Sequence, residues 1–225
     1  MAELMKTPQV ATFIASVIIM LNCLALQAQL EPLDIKLPQP MFVGTPTNFD
    51  VENLEEPLGK PRPPFLVPAG TRNLAYGKPV YSSYEPRIGE LWRITDGYTE
   101  ATSYSYVELG PGHQHITIDL EEMCTIYAIT VWHYHMSARV YLGVVVQVSD
   151  DPDFITNVRT VFNNDIGNSL GFGVGEDYQY VETHEGKLID AGGITGRYVR
   201  LHSRGNTDNE FNHYIEMGVH GKPLN

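Results

Sequence analysis

Cysteine is nearly absent from this chain, with two in 225 residues, Cys23 and Cys124. Cys23 lies in an N-terminal apolar run, so a chain cleaved after that run keeps Cys124 alone and cannot close an internal disulfide. Positive charge is also scarce. Lys and Arg number 15 against 27 Asp and Glu, a net charge of -12, and removing Glu3 and Lys6 with the leader leaves that total unchanged. So acidic a surface repels phosphate backbones and anionic lipid headgroups, which argues against nucleic acid and phospholipid as partners. Apolar runs are short except for Val10 to Ala28, which Asn22 interrupts and which barely reaches the ~20 residues of a spanning helix. No stable membrane span is expected.

That run, with Lys6 before it and small residues at Ala25 and Ala28, reads as a secretory signal peptide over residues 1–28 and predicts an extracytoplasmic protein, secreted or periplasmic. Glu3 stands where a leader is normally basic. A start at Met5 instead of Met1 would restore a basic leader through Lys6. Asn22 is a poor fit to the small residue that precedes the cysteine of a lipoprotein cleavage site, which disfavours lipid anchoring at Cys23.

Catalytic signatures are missing as well. No serine sits in a Gly-x-Ser-x-Gly context, Cys124 lies in an apolar strand, and no carboxylate pair stands out as an acid and a base. The glycine-rich stretch Gly171 to Gly175 does not follow a strand and open a helix, so it is no phosphate loop. The chain is read as a non-enzyme.

What is present falls into two parts. Residues 29–72 contain nine prolines, from Pro32 to Pro68, and read as a semi-rigid extended linker through which neither helix nor sheet ladder should run. The apolar islands Met41 to Val43 and Phe65 to Val67 are placed to dock on a domain. From Asn73 onward the period is two. Ile116, Ile118 and Leu120 alternate with Thr117 and Asp119; Val144, Val146 and Val148 alternate with Val145, Gln147 and Ser149; Ile215, Met217 and Val219 alternate with Glu216, Gly218 and His220. Turn clusters separate these runs, as at Gly110-Pro111-Gly112 and Asn163-Asn164-Asp165. Short strands with turns between them predict an all-β, antiparallel β-sandwich.

Five blocks in fixed order sharpen this: Asn73 to Val80 (NLAYGKPV), Ile94 to Tyr98 (ITDGY), Val144 to Phe154 (VVVQVSDDPDF), Gly196 to His202 (GRYVRLH) and Asn212 to Gly221 (NHYIEMGVHG). In this order the blocks resemble the discoidin, or coagulation factor 5/8 type C, family of galactose-binding-like jelly-roll sandwiches. The resemblance spans residues 73–223. It implies a non-catalytic module that binds a glycan or, as the alternative, a cell-envelope protein through its end loops. Without the disulfide usual in animal members, the chain looks like a bacterial-type one. The resemblance also implies one structural Ca2+ between Asp96, in the Asp96-Gly97 turn, and Glu216, because calcium is caged by carboxylate and carbonyl oxygens. Tyr98 departs from the pattern, since an Asn or Asp ligand commonly follows the glycine. The competing reading makes Asp96 a turn cap and Glu216 a solvated outward residue.

For the ligand site the candidates are His133, Tyr134, His135 and Arg139, with Asn206 and Asn209. Residues two apart on a strand share a face, so His133 and His135 continue the face of Ile129 and Val131 toward a loop rim. A His with an Arg is a pair that sugar-binding relatives use on hydroxyls, and Trp132 and Tyr134 offer flat faces for a pyranose. Amides such as Asn206 and Asn209 both donate and accept. The competing reading buries Trp132 and the imidazoles in the core and gives the amides to turns. A second pair, His113 and His115, falls on the wetted side of its strand with Thr117 and Asp119; a metal-dependent enzyme built on the histidine pairs is the remaining alternative.

Overall fold

The computed structural model describes residues 29–224. The expected signal peptide, the Met5 start and Cys23 lie outside the described residues. Ten strands follow one another: β1 (Leu30–Pro32), β2 (Leu66–Pro68), β3 (Arg72–Asn73), β4 (Val80–Ser82), β5 (Val107–Pro111), β6 (Gln114–His133), β7 (Val145–Ser149), β8 (Arg159–Asn163), β9 (Lys187–Ser203) and β10 (Phe211–Pro223). A 3-10 helix spans Leu91–Thr95.

Two long strands belong to both layers. The first half of β6 pairs with β4 and with the last half of β9, and β7 and β8 extend that layer. The second half of β6 pairs with the first half of β9 and with β10, which β5 and β3 flank. All of these ladders are antiparallel. The register breaks between Asp119 and Cys124, where Glu121 takes a φ of 67°. Asp119 holds this uncommon conformation: it accepts the Glu121 N–H at 2.7 Å, and Arg197 grips its two oxygens at 2.7 and 2.8 Å. Between the layers lie Leu109, Ile116, Ile118, Ile129, Val146, Leu201 and Met217, all buried, as the period of two predicts for inward positions.

Outward positions depart from the simple alternation. Trp132 and Ile215, on the far side of their strands from the main core, are buried in a second cluster with Ala101, against which Ile35 of the N-terminal segment packs. Trp132 Nε1–H donates to His184 O at 3.0 Å. Gly186, at a φ of 61°, makes room for the indole, because a Cβ there would stand 2.7 Å from Nε1.

The N-terminal segment carries a ladder after all. β1 pairs with β2, the prolines standing at the strand ends, where a missing N–H costs no hydrogen bond. The segment also lies against the sandwich. Arg62 donates to Gly186 O and Glu185 O at 3.0 and 2.9 Å, Lys187 pairs with Glu55 at 2.6 Å, and Gln179 N–H donates to Asn53 O at 3.0 Å.

Candidate functional site

Segments 134–144 and 204–210, which leave β6 and β9, meet at one end of the sandwich. Arg204 and Leu142 exchange backbone hydrogen bonds with Leu142 O and Gly205 O, and Val140 N–H donates to Thr207 Oγ1. Segment 98–106 closes over the same end through His135, whose Nε2 lies 2.9 Å from Thr99 O.

This closure decides the fate of the first histidine pair. Ile129 and Val131 face the core as expected, yet the face does not run out into solvent, because the loops fold over it. His133 and His135 are fully buried. His133 stacks on Tyr141 with centroids 4.2 Å apart, and its Nδ1 lies 3.2 Å from Glu182 Oε2, itself fully buried. Neither imidazole can touch a ligand in this conformation. Trp132, sealed beneath the N-terminal segment, offers no platform either.

Tyr134 and Arg139 do come together at the surface. Tyr134 is half-buried against Tyr106, centroids 4.8 Å apart, and the Arg139 guanidinium lies 5.1 Å from the Tyr134 ring centre. Arg139 Nη2 donates to Ser137 Oγ at 2.6 Å and to Asp208 Oδ2 at 3.0 Å. The side chain is held flat and only 7% of the residue is exposed, while its Nε has no partner among the described residues. Asp208, paired with it, and Met136, on the Tyr134 hydroxyl, are exposed.

Beneath the rim a polar chain fixes these groups. Arg87 Nε lies 3.2 Å from Glu108 Oε1, and Glu108 Oε2 is 3.1 Å from His213 Nε2. His213 Nδ1 is 3.0 Å from the Tyr141 hydroxyl. Burial, with Arg139 and His133 nearby, pushes His213 down to about 4. A neutral ring donates through Nε2–H to the carboxylate and accepts the Tyr141 proton at Nδ1, one arrangement that satisfies every member.

Asn206 and Asn209 build the loop itself. Asn206 Nδ2 donates to Asn209 Oδ1 and Phe211 O, and Asn206 Oδ1 accepts the N–H groups of Asp208 and Asn209. The Asn206 amide is consumed in holding the turn that carries Asp208, while Asn209 contributes its Oδ1, which also accepts the Phe211 N–H. A cleft of ≈ 550 Å³ opens beside Asp208 and Thr207, walled on its other side by Asn48, Phe49 and Asp50 of the N-terminal segment. A second, of ≈ 520 Å³, lies farther along that segment between Phe42 and Leu188, away from Arg139.

Asp96 and Glu216 sit together at the end of the 3-10 helix. Asp96 Oδ1 accepts the Tyr98 N–H at 2.7 Å, so it does cap the turn, and Glu216 Oε2 accepts the Gly97 N–H at 3.1 Å. Glu216 is buried, not solvated, because the helix and the Gly97 turn cover the outer face of β10. Burial first, and then the Asp96 charge, raises its carboxyl to about 9.

No protein-family model matches the chain, and no curated protein matches it in sequence. Solved structures do match in three dimensions. A fucolectin from striped bass (Morone saxatilis) serum aligns with a TM-score of 0.51 at 16% identity, over 70% of this chain and 49% of the lectin. A family 89 glycoside hydrolase from Clostridium perfringens aligns with a TM-score of 0.51 at 15% identity over 68% of this chain, which spans 15% of that enzyme. A chitosan-binding module from Paenibacillus sp. IK-5 aligns over 67% of this chain and 99% of its own at 21% identity, with a TM-score of 0.46.

The chain shares the antiparallel β-sandwich fold of the fucolectin and of the aligned segment of the hydrolase, the architecture that the sequence blocks imply. Since the hydrolase match covers a small segment of the enzyme, it carries no argument for catalysis here.

The calcium that such sandwiches imply can be tested against the residues of this one. Two carboxylates face each other, and Glu216 Oε1 is buried with no partner among the described residues, so a hard cation would be met by oxygen donors alone. The residues fit. Tyr98, exposed, adds no carboxylate, which leaves carbonyls and water to complete a shell of six to eight.

Tyr106 and the Glu108–His213 chain were not among the sequence candidates, and Asp208 stood only as a member of the polar loop Arg204 to Asn209. Only the alternation of Ser and Tyr in Ser103 to Tyr106 marks that segment as unusual for a turn. Glu108 and His213 occupy strand positions whose patterning looks structural.

Proposed function

We propose that the protein is an extracytoplasmic, non-catalytic module that binds a neutral glycan at the rim formed by Tyr106, Tyr134, Arg139 and Asp208. The observation that carries this reading is Arg139. A guanidinium lying nearly buried over an aromatic ring and anchored through Nη2 to Ser137 and Asp208 holds the exposed Asp208 carboxylate in place as a preorganised acceptor, with the edge of the guanidinium beside it. Together the two match vicinal hydroxyls, and the tyrosines supply an apolar face for the ring carbons. The fold's occurrence in a serum lectin agrees with the reading and does not carry it.

Affinity for a single sugar is modest on this account, because each hydrogen bond exchanged with water contributes only about 1 kcal/mol. Binding to an array of neutral glycans tests it directly. A protein partner captured from envelope extracts, with no signal on any neutral glycan, would support the protein-interaction alternative instead. Extracytoplasmic location rests on the leader read at residues 1–28 and is checked by sequencing the N-terminus of exported protein.

A calcium ion between Asp96 and Glu216 belongs to the same proposal. Its role is to hold the Gly97 turn, taking the place of the proton that burial favours on Glu216. Calcium should raise the melting temperature of the purified protein, and Glu216→Gln should abolish that rise; a rise that survives in Glu216→Gln puts the ion elsewhere.

A further inference from the structure

Three imidazoles meet on the outer face of the β6–β9–β7 layer, away from the core side chains. The period of two sets His113 and His115 opposite Ile116 and Ile118, and the β6–β9 register sets His115 directly beside His202. His113 Nε2 lies 3.0 Å from His202 Nδ1. One ring nitrogen from each of the three lies within 4.8 Å of the other two. Metal–nitrogen bonds of about 2.0–2.1 Å in a tetrahedral site place ligand nitrogens about 3.3 Å apart, so one pair already has ligand spacing. A small side-chain adjustment brings in the third.

Support behind His202 fixes which of its nitrogens is presented. His202 is 3% exposed, and its Nε2 lies 3.3 Å from Gln147 Oε1. The Gln147 amide nitrogen donates to Thr160 Oγ1 at 3.2 Å, which turns the amide oxygen toward the imidazole. Nε2 of His202 therefore carries the hydrogen, and Nδ1 points its lone pair at His113. Metal-binding imidazoles are oriented in the same way, through the ring nitrogen that does not bind.

The surroundings leave the cluster partly covered. Phe172, in the glycine-rich segment, lies 4.5 Å from His202 and 5.9 Å from His113. His113 itself is exposed, which leaves one side open.

Two charges face the group. Arg200 opposes a cation, but its guanidinium is tied to Thr117 Oγ1 and Pro152 O and lies over Phe154. The Asp165 carboxylate, nearest to His113, carries the opposite charge.

We propose that His113, His115 and His202 bind one divalent transition-metal ion of the Zn2+, Ni2+ or Cu2+ class, with a fourth position open to water or an oxygen donor. Imidazole suits these ions and not calcium, so the site is independent of Asp96 and Glu216 and of the glycan reading.

The test is titration of tag-free, chelator-treated protein with Co2+, followed by its visible absorption, and then with Zn2+ in competition. One equivalent should bind, with the intense absorption of low-coordinate cobalt. His113→Ala and His115→Ala, both at accessible positions, should each weaken binding at least about 100-fold. Gln147→Ala should weaken it by 10–100-fold. His184→Ala should leave it unchanged. Absence of saturable binding, binding that survives His113→Ala and His115→Ala, or binding lost in His184→Ala instead would each overturn the proposal.

Discussion

His113 and His115 stand at the start of β6, and His133 and His135 stand at its end. The two pairs share one pattern, two imidazoles two residues apart with one member on the strand and one just beyond it, yet they meet opposite surroundings. The first pair lies on the outer face, keeps contact with solvent and gains His202 from the neighbouring strand. The second continues the inward face, and segments 98–106 and 134–144 seal it against Tyr141 and Glu182. Alternation fixes the face a side chain takes; what covers that face is settled by segments distant in sequence.

The sharpest way to break this contrast is to disturb the sealed pair. Glu182→Ala leaves His133 without its partner in a fully buried position and should cost about 3–5 kcal/mol in urea unfolding. A loss below about 1 kcal/mol would mean that the pair is wetter than its burial implies.

An interior imidazole without a carboxylate partner sharpens the same point through pH. Among the described residues the His220 ring bonds the Thr130 hydroxyl alone, at 3.0 Å, and burial pushes it down to about 4 from an ordinary 6.5. Because the folded value is depressed, the unfolded chain takes up the proton first. The contribution of His220 is thus complete above pH 6.5 and is lost as pH falls toward about 4, a difference on the order of 3 kcal/mol. Stability measured between pH 7 and pH 4 should fall less steeply in His220→Gln. An identical slope would assign the acid sensitivity to other groups.

The smallest effect belongs to the open pair. His113→Ala should change folding stability by no more than about 0.5 kcal/mol, although it removes a metal ligand. A large destabilisation would show that His113 is structural and would erase the contrast with His133.

Much of the fold was legible because the inward residues of the sandwich follow the period of two between bulges. The register shift between Tyr214 and Glu216 turns Ile215, expected inward with Met217 and Val219, to the outer face. Ile116, Ile118, Leu120, Met217 and Val219 are all in the core, and the turn clusters separate strands where they were expected. The outer faces were harder to read. Glu216 and Trp132 occupy outward positions that the 3-10 helix and the N-terminal segment cover, and nothing local to β10 or β6 announces those covers. The prolines of residues 29–72 pointed to a segment without ladders, but β1 and β2 pair in the short windows between them.

At the rim, Tyr134 and Arg139 were legible as neighbours on one segment. Their partners Tyr106 and Asp208 come from loops whose approach depends on the whole sandwich. Asn206 and Asn209 were correctly placed in that end loop, where their amides hold the turn and leave Asp208 to face Arg139.

The central claim is that the Arg139–Asp208 rim grips a neutral glycan. Its most direct test is a glycan array followed by calorimetric titration of the best ligand into the wild-type protein, Asp208→Ala and Tyr134→Ala. Saturable binding that each substitution weakens about 10-fold or more, in proteins that remain folded, is the predicted result. Failure to bind any neutral glycan, or equal binding by all three proteins, would contradict it.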